Sequence, residues 1–173
     1  MPHYDLRGRV VAITGATGGL GSAVARKLLE HGARLALFDV DEAAVMRLAQ
    51  SLGGIERARG WRVDVRSYDD VKAAMDASAA HFGGIDVVIA NAGVDEVSPM
   101  ASMSPVAFER VIDINLIGVW RTMKAGLPHV AKKRGYLMAI SSMAAFVHSP
   151  LQAHYTSSKA GVWALCDSVR LEV

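Results

Sequence analysis

Near one end of the sequence, HYTSSK (residues 154–159) sets a tyrosine and a lysine four residues apart. On a helix that spacing puts both side chains on one face. A phenol with its ordinary pKa of about 10 is a poor base near neutrality, and an ammonium beside it favours the phenolate. Lowering the pKa by about two to three units, roughly 3–4 kcal/mol of differential stabilisation, would make Tyr155 a general acid/base able to take or return a hydroxyl proton. The same pair is also what an ordinary exposed helical stripe looks like. The hexapeptide leaves both open.

A second cluster narrows the choice. TGATGGLG (residues 14–21) lies between a strand-like run and a helical pattern, where a parallel sheet places its ligand crevice. Gly15 would permit a tight turn, Gly19 would let backbone approach a pyrophosphate, and Gly21 would let helix and strand pack closely. The helix N-terminus beyond them offers free N–H groups and a positive dipole end. The spacing, Gly-x3-Gly-x-Gly, departs from the general Gly-x-Gly-x-x-Gly fingerprint. Asp39 follows Gly21 by eighteen residues at the end of the next strand-like run, where a carboxylate can accept from ribose hydroxyls. It would repel a 2′-phosphate, and neither Thr17 nor Val40 offers a compensating positive charge, so NAD is favoured over NADP. The plainer role for Asp39 is to cap the following helix.

Short apolar runs alternate with helical patterns throughout. Strands are expected at residues 9–14, 33–39, 61–65, 85–93 and 135–141, and helices at 20–32, 41–53, 68–83, from Ser104–Pro105 to about 131, and from about Tyr155. Ser67 with Asp70 makes a capping-box pattern, and Pro105 suits a first helical position. Strict alternation with unbroken apolar strands predicts an α/β fold, a Rossmann-like doubly wound parallel sheet with helices on both faces. The expected strand order is 3-2-1-4-5. With 173 residues, half of them hydrophobic and a net charge of +2, the chain is expected to form a single domain. Neither nucleic acid nor a membrane is an expected partner: no basic run carries interleaved aromatics and no apolar stretch reaches twenty residues. AKKRG (131–135) reads as a solvated helix end. Cys166 is the only cysteine, and the start of the chain shows no leader pattern; both suit a cytoplasmic location. The six histidines show no metal-ligand spacing, and no metal is expected.

Taken together, TGATGGLG, VDV (63–65), NAG (91–93), Asn115 in DINLIG, Ser142 in ISSMA and Tyr155/Lys159 in YTSSK resemble the short-chain dehydrogenase/reductase family, of the plain nicotinamide-dependent type. The likeness runs from the first strand to the end of the sequence. It implies NAD as cofactor, held by Gly15, Thr17, Gly19, Leu20, Gly21 and Asp39. It implies that Asp64 bonds the adenine amino group, that Val65 packs on the ring, and that Asn91, Ala92 and Gly93 line the ribose side. Ala90 stands where the fuller family pattern has an asparagine. The implied reaction interconverts a secondary alcohol and a ketone, with hydride moving at the nicotinamide. Tyr155 would then be the general acid/base, and Lys159 would tune it and hold the nicotinamide ribose. Ser142, thirteen residues before Tyr155 and preferred to Ser141 on that spacing, would bond the substrate oxygen. Asn115, an amide in an apolar helix that needs partners, would join a water-mediated relay to Lys159.

The sequence stops at LCDSVRLEV, inside the last expected helix, where the resemblance implies a sixth and seventh strand and a substrate-covering loop. Strand five would then be a bare edge. Two alternatives follow: a longer enzyme of which this is the given portion, or a truncated, non-catalytic NAD-binding or interaction module. Residues 94–103 and 145–154 mix Met, Phe and Val with a few polar groups, which points to a medium-sized apolar alcohol or ketone. The helix at 104–131 and the Tyr155 helix resemble the family's subunit-packing surfaces, so a homodimer or homotetramer is expected.

Overall fold

A computed structural model describes residues 4–172. The reading of the chain start at residues 1–3 and the last residue of LCDSVRLEV lie outside them. The five strands are β1 (Val10–Thr14), β2 (Arg34–Asp39), β3 (Ala58–Arg62), β4 (Val87–Ala90) and β5 (Tyr136–Ala139). All pair in parallel, in the order β3-β2-β1-β4-β5. The six helices are α1 (Gly19–Glu30), α2 (Glu42–Ser51), α3 (Tyr68–Phe82), α4 (Pro105–Ile112), α5 (Gly118–Lys133) and α6 (Ala153–Val169).

Strand alternation divides the core in two. Val10, Ala12, Phe38 and Val88 face α3 and α5, meeting Val71, Met75, Ala125 and Val130. Val11, Ile13, Leu35 and Leu37 face the other way, onto Ala25 of α1 and Val45 and Leu48 of α2. Val162 of α6 packs with Ala90, Val119 and Met123, and Leu137 of β5 joins this group to the α3–α5 layer. Helices α3, α5 and α6 therefore share one face, and α1 and α2 the other. Helix starts follow the expected chemistry. Ser67 Oγ accepts from Asp70 N–H and Ser104 Oγ from Ala107 N–H, with Pro105 directly after the cap. Lys132 and Lys133 close α5, as expected for AKKRG.

Four features differ from the expectation. The third strand is Ala58–Arg62 rather than 61–65. Its register with β2 runs from Leu35↔Ala58 to Asp39↔Arg62, and Gly60 is the point where α2 sits: a Cβ there would lie 2.9 Å from the Val45 carbonyl oxygen. The apolar VDV run, which looks like strand, leaves the sheet to floor the cleft. The fourth strand ends at Ala90, because Asn91–Gly93 turn toward the glycine loop. The helix expected from 104 to 131 is broken by a π-helical turn, Asp113–Ile117, and α6 begins at Ala153, before Tyr155.

Candidate active-site cleft

A cleft of about 670 Å³ opens at the C-terminal ends of β1, β2 and β4, and both ends of the expected site face it. At its centre is the glycine loop. Gly15 has φ +63°, and a Cβ on it would lie 2.7 Å from Ala92 Cα. A Cβ on Gly21 would fall 2.2 Å from the Gly15 carbonyl oxygen, whereas one on Gly19 would meet nothing within 4 Å. Gly15 and Gly21 are thus needed for chain packing, and Gly19 keeps an open approach. Gly18 gives α1 no side-chain cap, so the first-turn N–H groups are left for an outside acceptor. Asn91 fastens this loop from β4: its Nδ2 donates to the carbonyls of Thr14 and Gly15 at 2.9 and 3.0 Å. Thr14 Oγ1 accepts from the N–H groups of Asn91 and Ala92.

Asp39 is half-buried at the end of β2. Its Oδ2 accepts from Thr17 N–H and Thr17 Oγ at 2.9 and 2.7 Å. Its Oδ1 receives only a 3.3 Å contact from Asp41 N–H, so it retains acceptor capacity toward the cleft. The capping role goes to Asp41, which accepts from Ala44 N–H. Thr17 is therefore tied to Asp39 on the cleft lining. Leu20 lines the cleft, half exposed. Beyond β3, Val63 and Val65 are buried and Asp64 is half-buried. The Arg66 guanidinium, bonded to Asp64, holds that carboxyl below its usual range.

The opposite end is built on α6 and the π-helical turn. Lys159 is buried; its Nζ donates to the Ile140 carbonyl at 2.8 Å and stands 5.6 Å from the centre of the Tyr155 ring. Burial pushes the ammonium's pKa down. Asn115 is fully buried and satisfied: Oδ1 accepts from Val94 N–H and Nδ2 donates to the Val94 carbonyl, each at 2.8 Å, with Ser158 Oγ at 3.3 Å. A Cβ on Gly93 would lie 3.4 Å from Asn115 Oδ1 and 3.7 Å from Lys159 Nζ, so both groups flank that glycine. Ser141 donates its hydroxyl to the Lys159 carbonyl and lines the cleft. Ser142 is half-buried beside the lining; its Oγ accepts from Ala144 N–H at the start of the short 3-10 turn Met143–Ala145, leaving its own proton free to donate.

Several residues at this site escaped the sequence reasoning. Arg66 and Arg110 bring positive charge to the cleft. For Arg66 the signal was present in the Asp-x-Arg spacing of 64–66. His154 is fully buried, stacks on Phe108 and accepts Tyr155 N–H at Nδ1 (2.8 Å). Asp95 bonds Gln152, and Ser98 N–H donates to the Leu151 carbonyl, so the loops at 94–103 and 145–154 are tied together. Among the described residues no helix is long and apolar enough to cross a membrane, and no cluster of three His, Cys, Asp or Glu is placed to hold a metal.

Comparison with known proteins gives the same architecture a lineage. A family model described as short chain dehydrogenase matches residues 9–173. Zerumbone synthase of Zingiber zerumbet is 33% identical over 171 residues, which is 97% of this chain and 64% of that protein. Cis-4-hydroxycyclohexanecarboxylate dehydrogenase of Sinomonas cyclohexanicum is 40% identical over 158 residues, 89% of this chain and 63% of that one. The chain thus spans a little under two thirds of the length of these curated relatives. Among solved structures, a short-chain dehydrogenase/reductase from Burkholderia phymatum in complex with NAD superposes with a TM-score of 0.93 at 28% identity, covering 99% of this chain and 62% of the other. A glucose/ribitol-type member from Brucella melitensis gives a TM-score of 0.93 at 32% identity, covering 98% and 71%. With the family model matching almost the whole chain and the fold superposing on these structures, the chain belongs to the short-chain dehydrogenase family.

Proposed function

We propose that the chain acts as an NAD(H)-dependent oxidoreductase that interconverts a secondary alcohol and a ketone, with Tyr155 as general acid/base. The observation that carries this is a single cleft shared by two sets of groups: the uncapped start of α1 with Asp39 at one end, and Tyr155 with the buried Lys159 at the other. The open approach at Gly19 fits a dinucleotide. When bound, the nicotinamide supplies the hydride acceptor or donor. The N–H groups of Gly19, Leu20 and Gly21 would hold the diphosphate, Asp39 Oδ1 a ribose hydroxyl, and the Asp39 charge would repel a 2′-phosphate.

The chain's own residues manage the proton. In the oxidising direction the Tyr155 phenolate takes the proton of the substrate hydroxyl, and in the reducing direction the phenol returns it. Lys159, its Nζ 5.6 Å from the centre of the Tyr155 ring, sets a positive charge beside the phenol and keeps two further N–H donors for a ribose. Ser142 suits the substrate oxygen better than Ser141, whose proton is already given to the Lys159 carbonyl. Asn115 fixes the Val94 backbone beside Lys159, and a water-mediated path from there would replenish the proton. Val97, Met100, Phe146 and Val147 are exposed on the two flanking loops, which favours a medium-sized apolar substrate. A cytoplasmic setting fits the single half-buried Cys166.

The test is Tyr155→Phe, measured by NADH fluorescence titration and by turnover on a panel of cyclic and aliphatic secondary alcohols. Turnover should fall by about 10²–10⁴, with NADH affinity held within about threefold. Binding without turnover in the unmodified chain would favour a non-catalytic NAD module, and absence of NADH binding would overturn both.

A further inference from the structure

We propose that Arg66 and Asp64 together form one donor–acceptor edge that reads the purine ring, and that Arg66 lets the site take a 6-oxo purine dinucleotide nearly as well as an adenine one. This rests on the dinucleotide reading of the cleft given above. The base end is a slot with an apolar floor of Val63 and Val65, a wall at Ile114, and a polar rim made by Asp64 and Arg66. As the chain leaves β3 it turns, with Ser67 N–H donating to the Asp64 carbonyl at 3.0 Å, and this brings residue 66 back beside residue 64. Arg121 braces the turn from α5: it contacts the Val65 carbonyl at 3.4 Å and pairs with Asp113 at 2.7 Å.

The hydrogen-bond inventory at the rim is lopsided. The Asp64 carboxylate accepts from Arg66 N–H at 3.0 Å, from Nε at 3.0 and 3.1 Å, and from Nη2 at 2.6 Å. These contacts come from three N–H groups, the Nε–H being shared between both oxygens, and a carboxylate has about four lone-pair sites, so at most one remains. The guanidinium has about five N–H groups. Among the described residues Arg66 donates to nothing but Asp64, so most of those groups remain free, on a side chain 51% exposed at the cleft. An adenine edge offers an amino donor beside a ring-nitrogen acceptor, which matches the last carboxylate site and the guanidinium together. Hypoxanthine offers a carbonyl in place of the amino group. A carboxylate alone would face that carbonyl with lone pairs opposed and leave a desolvated acceptor unpaired. Arginine can instead donate to O6 and N7, as it does to guanine.

The decisive quantity is a ratio. Reduced NAD and reduced nicotinamide hypoxanthine dinucleotide carry the same fluorescent nicotinamide, so both can be titrated into the unmodified chain, Arg66→Leu and Arg66→Lys. Binding of the two should agree within about threefold for the unmodified chain, while Arg66→Leu should disfavour the hypoxanthine form by about tenfold or more, with Arg66→Lys between them. Because both ligands probe the same protein sample, a partly misfolded variant alters both affinities and not their ratio. Strong preference for NADH in the unmodified chain, or an unchanged ratio in Arg66→Leu, would overturn the proposal. Failure of either dinucleotide to bind at all would instead remove the dinucleotide reading on which it stands.

Discussion

Lys159 carries a conflict between stability and function inside one side chain. It is 4% exposed, yet its ammonium has one protein acceptor, the Ile140 carbonyl, and no carboxylate partner among the described residues. Desolvation lowers its pKa in the folded chain from 10.5. Between the lowered pKa and 10.5 the unfolded chain binds more protons than the folded one, so stability rises with pH there; below that window the burial penalty is present in full. Lys159→Met keeps a flexible linear side chain and removes the charge. It should stabilise the chain at pH 7 by about 1 kcal/mol and flatten the alkaline rise. Urea unfolding at intervals from pH 7 to 11 checks both, and a destabilised Met variant would show that the Ile140 contact outweighs desolvation. Under the proposed function the same buried ammonium would stand beside the acid/base tyrosine, and that role would account for a group that stability alone would not retain.

At the scale of elements, Asn115 explains why one long expected helix is three pieces. The apolar pattern through 104–131 is continuous, so nothing local marks a break. The π-helical turn accommodates Asn115, whose amide bonds both backbone groups of Val94, a partner twenty-one residues away. Asn115→Ala would leave the half-buried Val94 N–H and C=O without their partners together and should cost about 1–2 kcal/mol in chemical unfolding. It should also raise hydrogen exchange at Val94 well before global unfolding, and protection equal to that of the unmodified chain would mean that water replaces the amide fully. Long-range demands of this kind are what the sequence hid. The alternation of strands and helices and the glycine loop were legible because hydrophobic period and turn chemistry are local, whereas the strand order, a long-range property, came with the family resemblance. The third strand was misplaced because VDV has strand-like residues, while ARGWR pairs only through its register with β2 and its glycine seat under α2. The tether of Thr17 to Asp39 was not legible either, because it joins the residues that follow β1 to the end of β2. The Tyr–Lys pair was visible in HYTSSK; the burial that gives it chemical meaning was not.

At the scale of the whole molecule, the two faces of the sheet differ in finish. On the side carrying α4, α5 and α6, Val106, Trp120 and Trp163 stand exposed, and Phe146 meets Trp163 edge-on at 4.8 Å. The sheet edges differ too: β3 carries Arg59 and Arg62, charges that discourage strand addition, whereas β5 presents Tyr136 and Met138 about half exposed. Two routes to self-association are therefore open, through the helical face or through the β5 edge. Large exposed aromatics are the side chains that dominate subunit interfaces, and a stable one buries roughly 1,600 Å² in all, more than a four-residue strand edge supplies. The helical route is the one expected, giving a homodimer or homotetramer. Light scattering across a hundredfold concentration range should show Trp163→Glu as monomer where the unmodified chain is not, with Met138→Lys leaving the assembly intact. The opposite pattern would move the interface to β5, and a monomer at every concentration would remove it altogether.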